Sequence, residues 1–247
     1  MATRKEEREA LRRHREKGEA EQARKERRRL RIFYALMALI ALPVVAGLVV
    51  VVGQIGGGSS DAAYLNPKTG QTTGAPPDGR EGVSPPPIKD KDLKAAAAKA
   101  DCELRLDLKD EGATHIPDGA PTPTYGTNPP TSGNHYAEPQ GDGAYGEDPS
   151  ILNSLHSLEH SRVAIQYDPD LPEAEQLTLK GVFDESPGGM LFFPNSKMPY
   201  EVAAAAWRNL VGCRSYEGAK TLDVIRAFRD QFRGRGPEAV PFDPGKP

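Results

Sequence analysis

Asp148-Pro149-Ser150-Ile151-Leu152-Asn153-Ser154-Leu155-His156-Ser157-Leu158-Glu159-His160-Ser161-Arg162-Val163-Ala164-Ile165-Gln166-Tyr167 passes from a helix signal to a strand signal within one short stretch. Asp148 is placed to cap a helix and Pro149 fits its first position, where the fixed φ is helical and the missing N–H is not needed. Ile151, Leu155 and Leu158 recur at helical spacing, so the helix is expected to run toward His160. Val163, Ile165 and Tyr167 then give a short β-branched and aromatic run, the mark of a strand.

Working outward, the remaining elements mix helix and strand without regular alternation. Asp90 is expected to cap a helix through Ala95 and Ala98, and a strand is expected from Leu104 to Leu108. Downstream, 172–183 reads as an amphipathic helix, 190–193 as a buried strand, 200–210 as an Ala-rich helix carrying Trp207, and 221–232 as a last helix. The fold class is therefore α+β. Residues 110–148 are rich in Pro, Gly, Thr and Asn, and a loop of that length inside a domain points to a function.

The N-terminal quarter has a different character. Residues 32–55 contain no charge, and at ~1.5 Å per residue that helix would span a hydrocarbon core of ~30 Å. Arg24, Lys25, Arg27, Arg28, Arg29 and Arg31 abut its start, and Lys68 is the first positive charge after it. The basic flank stays inside, so the expected topology is single-pass in the plasma membrane, N-terminus cytoplasmic and C-terminal domain extracytoplasmic. A cleaved signal peptide is disfavoured by the long charged region and the long apolar core.

With 25 glycines and 23 prolines, the chain splits by composition into a basic segment 1–31, a transmembrane helix 32–55, a Gly/Pro/Ser linker 56–90, a folded domain 91–233 and a disordered tail 234–247. The net charge of -3 hides a basic N-terminus, but that run is interleaved with Glu and juxtamembrane, which argues against nucleic-acid binding. Cys102 and Cys213 are the only cysteines and bracket the domain. In an oxidising compartment a disulfide is the economical reading, with thiol metal ligands or a redox pair as the alternative.

Four histidines, His115, His135, His156 and His160, fall in or beside the long loop and its helix. Positions 156 and 160 lie four apart on one helix face, the geometry that lets two imidazoles hold one ion, and the apolar stripe is centred roughly 140° away. The segments Pro129-Pro130-Thr131-Ser132-Gly133-Asn134-His135-Tyr136, Gly143-Ala144-Tyr145-Gly146 and His156-Ser157-Leu158-Glu159-His160, followed by Val163 to Tyr167, resemble the DUF3105 family found on bacterial membranes. The resemblance covers about His115 to Leu210. Ser161 stands where members usually carry Gly, and Asn134 where Pro is common. It implies a fold region and a histidine pattern, and no activity.

The favoured functional reading is a transition-metal site of His135, His156 and His160, with His115 as fourth ligand or supporting partner. Met190 and Met198 are candidate thioether ligands, which makes copper the favoured ion and zinc the alternative. Glu159 is expected to orient a ligand imidazole. Two other classes compete. One is a non-catalytic module for an envelope protein partner, its histidines holding loop backbone. The other, less favoured, is a zinc peptidase, because 156–160 satisfies the inverted H-x-x-E-H pattern, although the downstream Glu238 falls in the Pro-rich tail. Gly141 to Gly146 spells G-x-G-x-x-G without the strand and helix a dinucleotide site requires, and Ser132 lacks a nucleophile motif.

Overall fold

Strand β7, Val163–Tyr167, is buried at all five positions and organises the domain around itself. Its side chains alternate between two apolar layers, Val163, Ile165 and Tyr167 on one face and Ala164 on the other. The same alternation runs through β8, Met190–Pro194, which pairs parallel to β7, and through β9, Val202–Ala206, which pairs antiparallel to it. Beyond β9 lie β10, Asn209–Cys213, and the edge strand β3, Cys102–Arg105; beyond β8 lies β6, Gly143–Ala144. The six strands run in the order β3-β10-β9-β7-β8-β6.

The computed structural model describes residues 64–65, 72–73 and 75–247. The expected basic segment 1–31 and membrane helix 32–55 lie outside the described residues. Among the described residues, no helix is long and apolar enough to cross a membrane. Two-residue strands β1, Tyr64–Leu65, and β2, Thr72–Thr73, form an antiparallel pair.

Helices cover the sheet unequally. Helix α1, Leu93–Lys99, begins at Asp92, whose side chain accepts a hydrogen bond from the Ala95 N–H, and not at Asp90 as the sequence suggested. It shares the first layer with α3, Glu173–Asp184, and α4, Ala219–Phe232. On the other face stands α2, Ile151–Glu159, burying Leu155 and Leu158 beside Leu191, Phe193, Ala203 and Ala205. The long loop lies on this face too.

The clearest departure from the sequence reading is at 200–210. Its alanines are strand β9, joined through Trp207 and Arg208 to β10, and Arg208 turns the hairpin with φ 59°. Alanine favours a helix when solvated, but here Ala203, Ala204 and Ala205 are fully buried with an apolar layer on either face. Small side chains at the centre of the sheet let both layers approach, and tertiary burial overrides propensity.

Cys102 and Cys213 form a disulfide, and they are directly opposed partners in the β3–β10 ladder. The edge strand is thus tied covalently to the sheet. Residues read from composition as linker and tail also lie on the domain. Val83 donates its N–H to the Leu177 carbonyl, and Arg80 pairs with Asp78 and reaches the Tyr167 hydroxyl. At the other end, the Arg162 guanidinium donates to the Val240 carbonyl and faces the Phe242 ring.

Candidate metal centre

Two short strands from the long loop meet in parallel: β4, His115–Ile116, and β5, His135–Tyr136, in a register that sets His115 beside His135. The turn before His135 is shaped by Gly133, whose φ of +127° and whose absent Cβ, which would stand 2.6 Å from the Tyr125 ring, both require glycine. Ser132 accepts from the Glu111 N–H, and Tyr125 donates to the Asn134 carbonyl, so Ser132 is a turn hydroxyl. The long loop is thereby clamped on both sides of the histidine.

Helix α2 supplies the other half. His156 and Glu159 are turned toward β5 and are only 4% and 7% exposed, because the loop covers the face that the apolar stripe leaves open. The ring centroids of His115, His135 and His156 lie 4.7–5.1 Å apart. One ligand atom from each of His115, His135, His156 and Glu159 falls within 4.8 Å of every other.

The tautomers follow from hydrogen bonding. His135 Nδ1 lies 2.8 Å from the Gly133 carbonyl, and His156 Nδ1 lies 2.8 Å from the Tyr136 carbonyl. A carbonyl only accepts, so each Nδ1 carries a proton; in the neutral rings the lone pair is left on Nε2, where that of His156 accepts from the His160 Nε2–H 3.0 Å away. This is how metal-ligating imidazoles are oriented. His135 is fully buried, and its Nε2 has no hydrogen-bond partner. Glu159 Oε2 stands 3.0 Å away without forming a hydrogen bond to it. Burial, the largest influence, pushes the His156 pKa down to about 4, opposed by the hydrogen bond to Tyr136 and helped by His160, His135 and His115. His156 is thus neutral at pH 7.

Donors around a tetrahedral ion with bonds of ~2.1 Å stand about 3.4 Å apart. The cluster, at up to 4.8 Å, is within a side-chain adjustment of that arrangement, and the exposed His115 is the member most able to move.

Several assignments change. Glu159, expected to support a ligand, is itself in the donor group, while His160 sits at the margin with its Nε2 3.0 Å from His156 Nε2. Met190 is excluded as a ligand because strand alternation points it into the layer beneath α3 and α4, away from α2. Met198 is packed in the other layer with Tyr200, Trp207 and Leu210. Trp207, read as core, presents its ring edge-on to His135 at 6.2 Å. Glu238, 78 residues from His160, returns to place Oε2 3.2 Å from His160 Nε2. The sequence singles out Glu238 only as the downstream acid that the H-x-x-E-H pattern calls for, and its place in the Pro-rich tail counts against the approach that is seen.

A family model described as "Protein of unknown function (DUF3105)" matches residues 119–241. The chain belongs to the DUF3105 family. The DUF3105 match takes in His135, His156, Glu159, His160 and Glu238 and begins just after His115. No curated protein and no solved structure matches the chain. Directly after the end of α2, Ser161 adopts φ 71°, the left-handed conformation that glycine takes freely.

Proposed function

We propose that this DUF3105 domain binds one divalent first-row transition-metal ion through His115, His135, His156 and Glu159. The observation that carries the reading is the fully buried His135 Nε2, which has no hydrogen-bond partner although Glu159 Oε2 lies 3.0 Å away. Leaving such a group unpaired is destabilising by about 1–3 kcal/mol, and a cation between the two atoms would remove that penalty. Three imidazoles and one carboxylate form a borderline donor set suited to Cu(II) and Zn(II), with Cu(II) the tighter by the general order of divalent affinities. With Met190 on the other side of the sheet, the soft donors that would select Cu(I) are not assembled.

The uncharged run at 32–55 behind a basic flank supports an extracytoplasmic domain tethered to the plasma membrane. A hydrolytic reading is not favoured, since Glu159 lies within the donor group beside His135 rather than apart from it as a base. The test is a titration of the full-length chain in detergent with Cu(II) and Zn(II) against a chelator of known affinity. One ion per wild-type chain is expected, with affinity lost in His135→Ala and His156→Ala. Absence of binding, or equal binding by both variants, would return the histidines to structural duty in a domain that meets another envelope protein.

A further inference from the structure

The C-terminal segment is seated on the end of α2 by a specific dock. The Gly236 N–H donates to Ser161 Oγ (2.9 Å), Ser161 Oγ donates to the Glu238 carbonyl (2.7 Å), and the Glu238 N–H donates to the Glu159 carbonyl (3.0 Å). A Cβ on Gly236 would stand 2.7–2.8 Å from backbone atoms of Ser161, Glu159 and Leu158, so only glycine fits. The dock fixes Glu238 against His160, and His160 Nε2 against His156 Nε2, at 3.2 and 3.0 Å. These hydrogen-bonded spacings are a few tenths of an ångström inside the ~3.4 Å between neighbouring donors on one tetrahedral ion, so a small opening admits the ion.

Exposure falls steadily along this row. The side chains of Glu238 and His160 are 58% and 19% exposed, and residues His156 and His135 are 4% and 0% exposed. At its inner end lies the unpartnered His135 Nε2. A divalent ion stripped of water without replacement ligands faces a prohibitive desolvation penalty, so it reaches a buried site by exchanging ligands one at a time.

We infer that Glu238 and His160 form an entry station that captures a hydrated divalent metal ion and passes it through His156 to the inner site. This rests on the metal-binding reading of the inner site. The carboxylate attracts the cation from solvent, and His160, its Nε2 proton passing to solvent as the ring takes its proton on Nδ1, replaces a first water and frees the His156 lone pair that it had been donating to. The His156 lone pair is common to the outer and inner positions, and Glu159, His135 and His115 take over as Glu238 and His160 let go. The exposed His115 offers another approach, but among the described residues no carboxylate is paired with it in the way Glu238 is paired with His160.

The test is stopped-flow binding of Zn(II) and Co(II) to the full-length wild-type chain and to Glu238→Gln and Gly236→Val. The first variant removes the capturing charge, and the second unseats the segment without removing a donor. Both are expected to slow association about tenfold, as loss of local steering does. Dissociation is expected to slow with it, so that affinity changes less than about threefold and the Co(II) absorption bands of the loaded protein are unchanged. Unchanged association would place the entrance at His115 and overturn the inference while leaving the inner site intact. Altered Co(II) bands in Glu238→Gln would make Glu238 a resident ligand and overturn it as well. A wild-type chain that binds neither ion overturns both readings.

Discussion

Glu159→Gln separates a waiting metal site from a buried ion pair by the sign of its effect. In the metal-free protein the Glu159 carboxylate stands 3.0 Å from a His135 Nε2 whose ring proton is held on the opposite nitrogen by Gly133. A glutamine amide can turn an N–H onto that lone pair, supplying the missing partner and removing a buried charge. The expected result is a gain of about 1–3 kcal/mol in the stability of the metal-free protein. If His135 were instead a cation paired with Glu159, the same change would strand a buried charge and destabilise by about 3–5 kcal/mol. Urea unfolding in the presence of a chelator measures the difference through the midpoint at constant slope. Repeating the experiment with free Zn(II) at a hundredfold excess over the dissociation constant should stabilise the wild type by about 2.7 kcal/mol. The variant should gain little. A less stable Glu159→Gln, or one that keeps the full metal-dependent gain, refutes the reasoning.

Burial holds His156 at about 4 against an ordinary 6.5, so its contribution is complete above 6.5 and is lost as pH falls toward 4. Between pH 7 and pH 5 the metal-free wild type should lose about 2 kcal/mol more than His156→Gln, since each pKa unit is worth ~1.4 kcal/mol, and equal losses in urea titrations would contradict this. The Cys102–Cys213 bridge spans a sequence separation of 111. The paired Cys102→Ala, Cys213→Ala variant should therefore lose up to about 5 kcal/mol, read as a lower urea midpoint, whereas an unchanged midpoint would show that the sheet holds β3 unaided. Gly133→Ala introduces a Cβ 2.6 Å from the Tyr125 ring in a conformation reserved for glycine. It should destabilise by about 1–3 kcal/mol and weaken metal binding together, and retention of full affinity would show that the turn does not orient His135.

Helices α3 and α4 and strands β7 and β8 were legible because each combines length, periodicity and flanking breakers within one local window. The disulfide was legible because two cysteines admit one pairing. The β9–β10 hairpin was not, since its alanines carry a helical propensity that only burial on both faces reverses, and its Trp207-Arg208 turn lacks a glycine or asparagine to announce it. Of the site, spacing put His156 and His160 on one helix face, but spacing could not say that Glu159 turns inward while His160 stays at the rim. That outcome depends on β5 lying across α2. The register of His115 beside His135 and the return of Glu238 to His160 arise from contacts between distant segments. Met190 misled because a soft donor in the sequence says nothing about which side of a strand it occupies.

X-ray absorption of the full-length chain loaded with one equivalent of Cu(II) or Zn(II) addresses the ligand set directly. The expected spectrum has a first shell of nitrogen and oxygen near ~2.0–2.1 Å with multiple scattering from three imidazoles, reduced by one imidazole in His135→Ala. A sulfur shell near ~2.3 Å, or imidazole scattering unaffected by the loss of His135, would contradict a centre built from His115, His135, His156 and Glu159.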